Sequence, residues 1–202
     1  MSSFAELMAA RRMTRAFTSE PVPAELLDAI LRLALRAPSA GNTQGVDLLV
    51  LHGSEQTTRY WDVTLPAPRR DTFRWQGLLQ APVVVIVYAD PAAYVARYGA
   101  PDKAASGLGG GAEVWSVPYW TVDAAFTAMI MQLAAIDAGL GVLFFGLFDH
   151  APAVAEAFGA PPDRQAIGAV AMGWPDRERD EPGRSARRPR RPLDEVVHRG
   201  SW

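Results

Sequence analysis

The chain has 202 residues, 49% hydrophobic and 21% charged, with a formal net charge of −2; this fits one domain with a buried core and excludes a molecule that binds polyanions over its whole surface. The absence of cysteine excludes disulfides, thiol catalysis and thiolate metal sites. The histidines, His52, His150 and His198, lie far apart without helical ligand spacing, so no metal site is expected.

The N-terminal run Met-Ser-Ser-Phe-Ala-Glu has no basic segment followed by an apolar one, so a cytoplasmic chain is the expectation. No apolar run reads as a membrane span, and no membrane partner is expected. Ser3 to Arg11 is expected to form a short helix: Phe4, Leu7 and Met8 recur at helical spacing, and Ser3 and Glu6 have capping-box spacing. Pro23 to Leu35 predicts a stronger helix, with Leu26, Leu27, Ile30, Leu31 and Ala34 in one stripe and Pro38 beyond its end. Asp47 to Leu51 predicts a strand. Val83 to Tyr88, a β-branched run without alternation, predicts a strand buried on both faces. Residues 91 to 119, rich in Gly, Pro and aromatics, are expected to form a long loop or lid. Val122 to Gly139 predicts an apolar core helix with Gly139 at its C-terminal cap. Leu140 to Leu147 and Ala166 to Met172 predict two more strands, and 175 to 202 an extended tail. There is no internal repeat and no second domain, and the mixed order of helices and strands is α+β.

Four segments carry chemistry. Arg11-Arg12-Met13-Thr14-Arg15 offers guanidinium forks matched to a phosphate, although a solvated helix end has the same composition. Ala37-Pro38-Ser39-Ala40-Gly41-Asn42-Thr43-Gln44 is either a plain connection or a polar turn whose side chains donate and accept in one plane. Gly139 to Asp149 contains Phe144-Phe145-Gly146-Leu147, where Gly146 lets backbone approach a flat ligand. The tail holds Arg187-Arg188-Pro189-Arg190-Arg191. Acidic residues lie just upstream and no aromatics interleave, so nucleic acid is not the expected partner. Gly107-Leu108-Gly109-Gly110-Gly111-Ala112 matches a dinucleotide-binding pattern but follows no predicted strand. Tyr98, Trp115, Tyr119 and Trp120 could wall a site for a flat acceptor or simply pack.

In this order and spacing, the Arg-rich helix end, Ala-Pro-Ser-x-x-Asn-x-Gln, the helix closing on Gly-Leu-Gly and the terminal Arg-x-Arg-x-Pro-Leu-x-Glu-Val-Val resemble the FMN-dependent nitroreductase family. The resemblance spans nearly the whole chain. It implies a single α+β domain over residues 1–202, with a central, mostly antiparallel sheet wrapped by helices, in an interlocked homodimer with FMN between subunits. It implies that Arg11, Arg12 and Arg15 meet the phosphate and ribityl chain, with Met13 where the family commonly has Ser. Pro38, Ser39, Asn42 and Gln44 would reach the flavin from the partner subunit, and Arg74 would lie near the pyrimidine edge. Phe144, Phe145, Gly146 and Leu147 would run under the ring, with the Gly146 N–H near flavin N5 or O4 in the catalytic role. Arg188 and Arg190 would return to the phosphate. Gln44 is followed by Gly45 and Val46 where the family usually continues with Pro and Trp.

The activity implied is a ping-pong cycle, in which NADH or NADPH gives hydride to the flavin and a nitroaromatic, quinone or related small molecule takes the electrons. Dehydrogenation of a natural-product intermediate, reductive dehalogenation and a protein that sequesters FMN without turnover are the alternatives.

Overall fold

The computed structural model describes residues 3–202. The first helix, α1 (Phe4–Ala10), opens on the expected box: the Ser3 Oγ accepts the Glu6 N–H at 3.3 Å and the Glu6 carboxylate accepts the Ser3 N–H at 2.7 Å. Then come α2 (Ala24–Ala34), β1 (Val46–His52), α3 (Ser54–Thr64), α4 (Ala67–Arg70) and β2 (Val83–Ala89). They are followed by α5 (Pro91–Tyr98), α6 (Tyr119–Asp137), β3 (Gly141–Phe145), α7 (Ala151–Phe158), β4 (Gln165–Gly173) and α8 (Leu193–Val196).

The strands form one four-stranded sheet in the order β1-β2-β4-β3, antiparallel throughout. Every residue of β2 is buried, because both faces are covered. Val83, Val85, Val87 and Ala89 point into a layer with Leu27, Ile30, Met131 and Ala135 of α2 and α6. Val84, Ile86 and Tyr88 point the other way, to Tyr60 and Trp61 of α3 and Val154 of α7. The alternation of a pleated strand therefore feeds two cores at once.

Helix α6 begins at Tyr119, earlier than Val122, and its 19 residues are long and apolar enough to cross a membrane by length and composition. This differs from the expectation drawn from the sequence, but the helix packs on α2 and the sheet as a core element. Its end is a Schellman cap: the Leu140 N–H donates to the Ala135 carbonyl, the Gly139 N–H donates to the Ile136 carbonyl, and Gly139 has φ +85°.

The expected loop over 91–119 is corrected. Asp90 caps the first turn of α5 by accepting the Ala93 N–H at 3.1 Å, and Pro91 occupies a first-turn position where its missing N–H costs nothing. Three short 3-10 turns follow, Ala104–Ser106, Leu108–Gly110 and Ala112–Val114. Trp115 is buried between Tyr98, with ring centroids 4.8 Å apart, and Tyr94, 6.0 Å apart. The segment is thus a packed subdomain, and Trp115 and Trp120 belong to the core. The tail is extended except for a turn at Arg184–Arg187 and the short α8.

Candidate functional site

Arg11 to Arg15 run along β3, an edge strand: the Thr14 N–H donates to the Val142 carbonyl at 2.8 Å. Thr14 fills the space that a side chain at Gly141 would need, since a Cβ there would lie 2.7 Å from the Thr14 hydroxyl. This close approach aligns the basic segment with the strand that ends at Phe145. Met13 joins the apolar layer of Phe145, Phe73 and Trp75. The Arg15 guanidinium lies over the Trp75 ring, 5.3 Å from its centroid, and donates to the Met13 carbonyl at 3.2 Å. The Arg74 guanidinium also lies over the Trp75 ring, 4.7 Å from its centroid, and 3.8 Å from Glu181.

The tail closes this corner. Asp180 accepts the Arg15 backbone N–H at 2.6 Å and pairs with the Arg12 guanidinium. Its carboxylate is 2% exposed. Arg11, Arg12, Met13 and Arg15 line a cavity of about 280 Å³ with Asp180, Gly183 and Ser185. The segment facing the arginines is therefore 180–186. Arg188 and Arg190 lie just beyond it, exposed, with the Arg188 N–H bonded to the Ser185 carbonyl at 3.0 Å.

At the far end of β3, the side chains are used by the core. Phe145 stacks on Trp61 with ring centroids 6.1 Å apart, Phe144 lies against Gly168, and Leu147 is buried. Gly146 follows the strand, where a Cβ would meet the Phe148 ring at 2.9 Å. Phe148 itself has φ +47° and is 85% exposed. This segment can offer a ligand its backbone more readily than its side chains.

The Pro38–Gln44 turn is built on the opposite layer. Gly41, Asn42 and Gln44 have φ of +61°, +53° and +56°, a region in which non-glycine residues are strained. The Ser39 hydroxyl accepts the Gln44 N–H at 3.0 Å, and the Gln44 side-chain amide donates to Asn42 at 3.3 Å. From α6, the buried Asp123 carboxylate accepts the Ala40 N–H at 2.8 Å and the Tyr94 hydroxyl at 2.6 Å. From α5, the Arg97 Nε–H donates to the Gly41 carbonyl at 2.9 Å. Burial, and then the bond to Asp123, push the Tyr94 phenol far above its ordinary pKa, so it stays protonated and donates.

One chain therefore brings together Arg11, Arg12, Met13, Arg15, Arg74 and the end of β3, and sets Pro38, Ser39, Asn42 and Gln44 apart against α5 and α6. Sequence reasoning missed Asp180, Asp123, Tyr94 and Arg97. Asp123 had a signal: it is the only charged residue of α6 before Asp137.

Asp180 already takes the Arg12 guanidinium and the Arg15 N–H, so the groups that remain for a phosphate monoester in this cavity are Arg11 and the Arg15 guanidinium, and an anion that takes the first two donors as well must displace the Asp180 carboxylate. The chain is thus an antiparallel α+β sheet between two helical layers, with a cavity lined by arginines beside an edge strand. Residues 8–174 match the model of the Nitroreductase family. Over 185 residues the chain is 25% identical to an Archaeoglobus fulgidus protein assigned as an NADH dehydrogenase/NAD(P)H nitroreductase, covering 89% of this chain and 90% of that one. The fold matches Bacillus subtilis ydfN with a TM-score of 0.75 at 20% identity, covering 97% and 98% of the two chains. An FMN-dependent nitroreductase of Clostridium difficile R20291 gives a TM-score of 0.67 at 20% identity, covering 98% and 100%. The chain belongs to the nitroreductase family.

Proposed function

We propose that this chain is an FMN-dependent NAD(P)H oxidoreductase that delivers two electrons to a nitroaromatic, a quinone or a related flat acceptor. The observation that carries the reading is the gathering of Arg11, Arg12 and Arg15 around one cavity at the edge of β3, where the chain's own Asp180 carboxylate holds the place that a phosphate would take over. When bound, FMN supplies the redox chemistry, taking hydride from a nicotinamide and returning the electrons to the acceptor that replaces it.

The protein's part is to bind, orient and tune. Arg11, Arg12 and Arg15 hold the phosphate, and Arg188 and Arg190, just past the tail segment that lines the cavity, add charge to it. Backbone from Phe144 to Leu147 supports the ring. The Gly146 N–H and the Arg74 guanidinium provide positive ends for the negative charge that reduction brings. Pro38, Ser39, Asn42 and Gln44 supply the remaining polar contacts from a second subunit. Their separation from the arginines within one chain supports a site completed by dimerisation. Exposed apolar side chains on α2 and α6, among them Leu33, Phe126 and Met129, supply a surface for it.

A protein that stores FMN without turnover would need the 91–119 segment closed over the ring. The packing of that segment on α6 and the Gly41 turn favours the enzyme instead. The test is an anaerobic flavin spectrum of purified protein. NADH or NADPH should bleach it, and a quinone or nitroaromatic should restore it. Retained colour that neither donor bleaches would identify a storage protein.

A further inference from the structure

We propose that Asp123 is the positioning residue for the ring end of the site: its buried carboxylate, with the Tyr94 hydroxyl, fixes the Ala40 amide and so aims Ser39, Asn42 and Gln44. The inference rests on the flavin reading above and deepens it.

The turn cannot hold its shape by local preference alone. Two of its non-glycine residues, Asn42 and Gln44, sit in the left-handed region, each at a cost on the order of 1 kcal/mol or more. Such strain persists only where surrounding contacts determine it. Those contacts come from two helices, α6 and α5. Asp123 takes the Ala40 N–H, Arg97 donates to the Gly41 carbonyl, and the Tyr98 ring lies so close to Gly41 that a Cβ there would stand 3.0 Å away. Tyr94 likewise fills the space beside Gly45, where a Cβ would lie 2.6 Å from its ring.

Asp123 is an expensive way to pack a helix. It is 3% exposed within a layer of Ala124, Ala128 and Trp120, and no cation pairs with it among the described residues. A carboxylate so placed costs several kcal/mol unless directed donors satisfy it. Its two donors, the Ala40 N–H and the Tyr94 hydroxyl, come from the turn and from α5. A medium-sized apolar residue would fill the same space without that cost but would leave the Ala40 amide unheld. The carboxylate thus ties three elements at the one point where the turn leaves the core. The 91–120 segment then has a definite role. Through Tyr94, Arg97 and Tyr98, held by Trp115, it buttresses the turn from behind.

The experiment compares wild type, Tyr94→Phe and Asp123→Asn for binding of FMN and of riboflavin, followed by flavin fluorescence, with thermal melting and the visible spectrum of the bound flavin recorded alongside. Both variants should remain folded at 25 °C and weaken FMN and riboflavin by the same factor, about tenfold for a lost charge-assisted hydrogen bond. The absorption band of the bound ring should shift, a readout that simple loss of stability does not move. Folded variants that match wild type in affinity and spectrum would overturn the proposal. If Asp123→Asn does not fold, Tyr94→Phe decides alone, because it keeps the ring and removes only the hydroxyl. A wild-type protein that binds neither flavin would instead overturn the flavin reading, and this inference with it.

Discussion

At the edge of β3, Arg12 and the Arg15 amide converge on the single carboxylate of Asp180. A phosphate monoester carries more charge and more acceptor oxygens than a carboxylate, so one that displaces Asp180 can engage these donors and the other guanidinium groups of the cavity together. Arg11 lines that cavity. Arg11→Ala should therefore weaken FMN by about 10- to 100-fold, as expected for loss of a charge-assisted contact, and leave riboflavin unchanged because it has no phosphate. Equal weakening of both flavins would place Arg11 elsewhere. At this scale the sequence showed the arginine cluster itself, and the fold places Arg11, Arg12 and Arg15 around one cavity. The sequence did not show its acidic complement. Asp180 reads as one of several acids in a polar tail, and only the folded chain carries it 165 residues back to the Arg15 amide. Asp123 was hidden differently, because a lone acid in an apolar helix is invisible to periodicity.

Elements with a strong local signature were read correctly. The Ser3–Glu6 box, the stripe of α2, the fully apolar β2 and the glycine cap of α6 each follow from short-range chemistry. Helix α3 was missed because its polar sequence buries only Thr57, Tyr60 and Trp61, a sparse stripe supplied by tertiary packing. Helix α5 was missed because a segment rich in Gly and Pro suggests a loop, while Asp90 and Pro91 are in fact a helix start. The consequence for the proposed site is that the Pro38–Gln44 turn is held by an element the sequence hid. Gly41 is where the two meet, with φ +61° and the Tyr98 ring close by. Gly41→Ala should destabilise the fold by about 1–2 kcal/mol and weaken both flavins. Denaturant unfolding that shows no loss of stability would contradict the close packing of the turn on α5.

For the whole molecule, one sheet supports two cores, and the arginine segment and the Pro38–Gln44 turn pack on different ones. The antiparallel α+β architecture was legible from the order of elements and from the family resemblance. How the two regions would meet was not, because in the proposed site that depends on a second copy. If the exposed faces of α2 and α6 meet across a two-fold axis, Phe126, 45% exposed, lies in the contact. Phe126→Glu should yield monomers in sedimentation and a loss of flavin affinity of more than about tenfold, since a buried unpaired charge at an interface costs several kcal/mol. A monomer that binds flavin as wild type does would show that one chain suffices. The visible spectrum of purified protein under anaerobic conditions tests most directly whether FMN binds at the arginine edge and cycles between a nicotinamide and an acceptor. The expected result is a flavin spectrum that NADH or NADPH bleaches and a quinone or nitroaromatic restores. A colourless protein that takes up no added FMN, or a bound flavin that neither donor reduces, would contradict it.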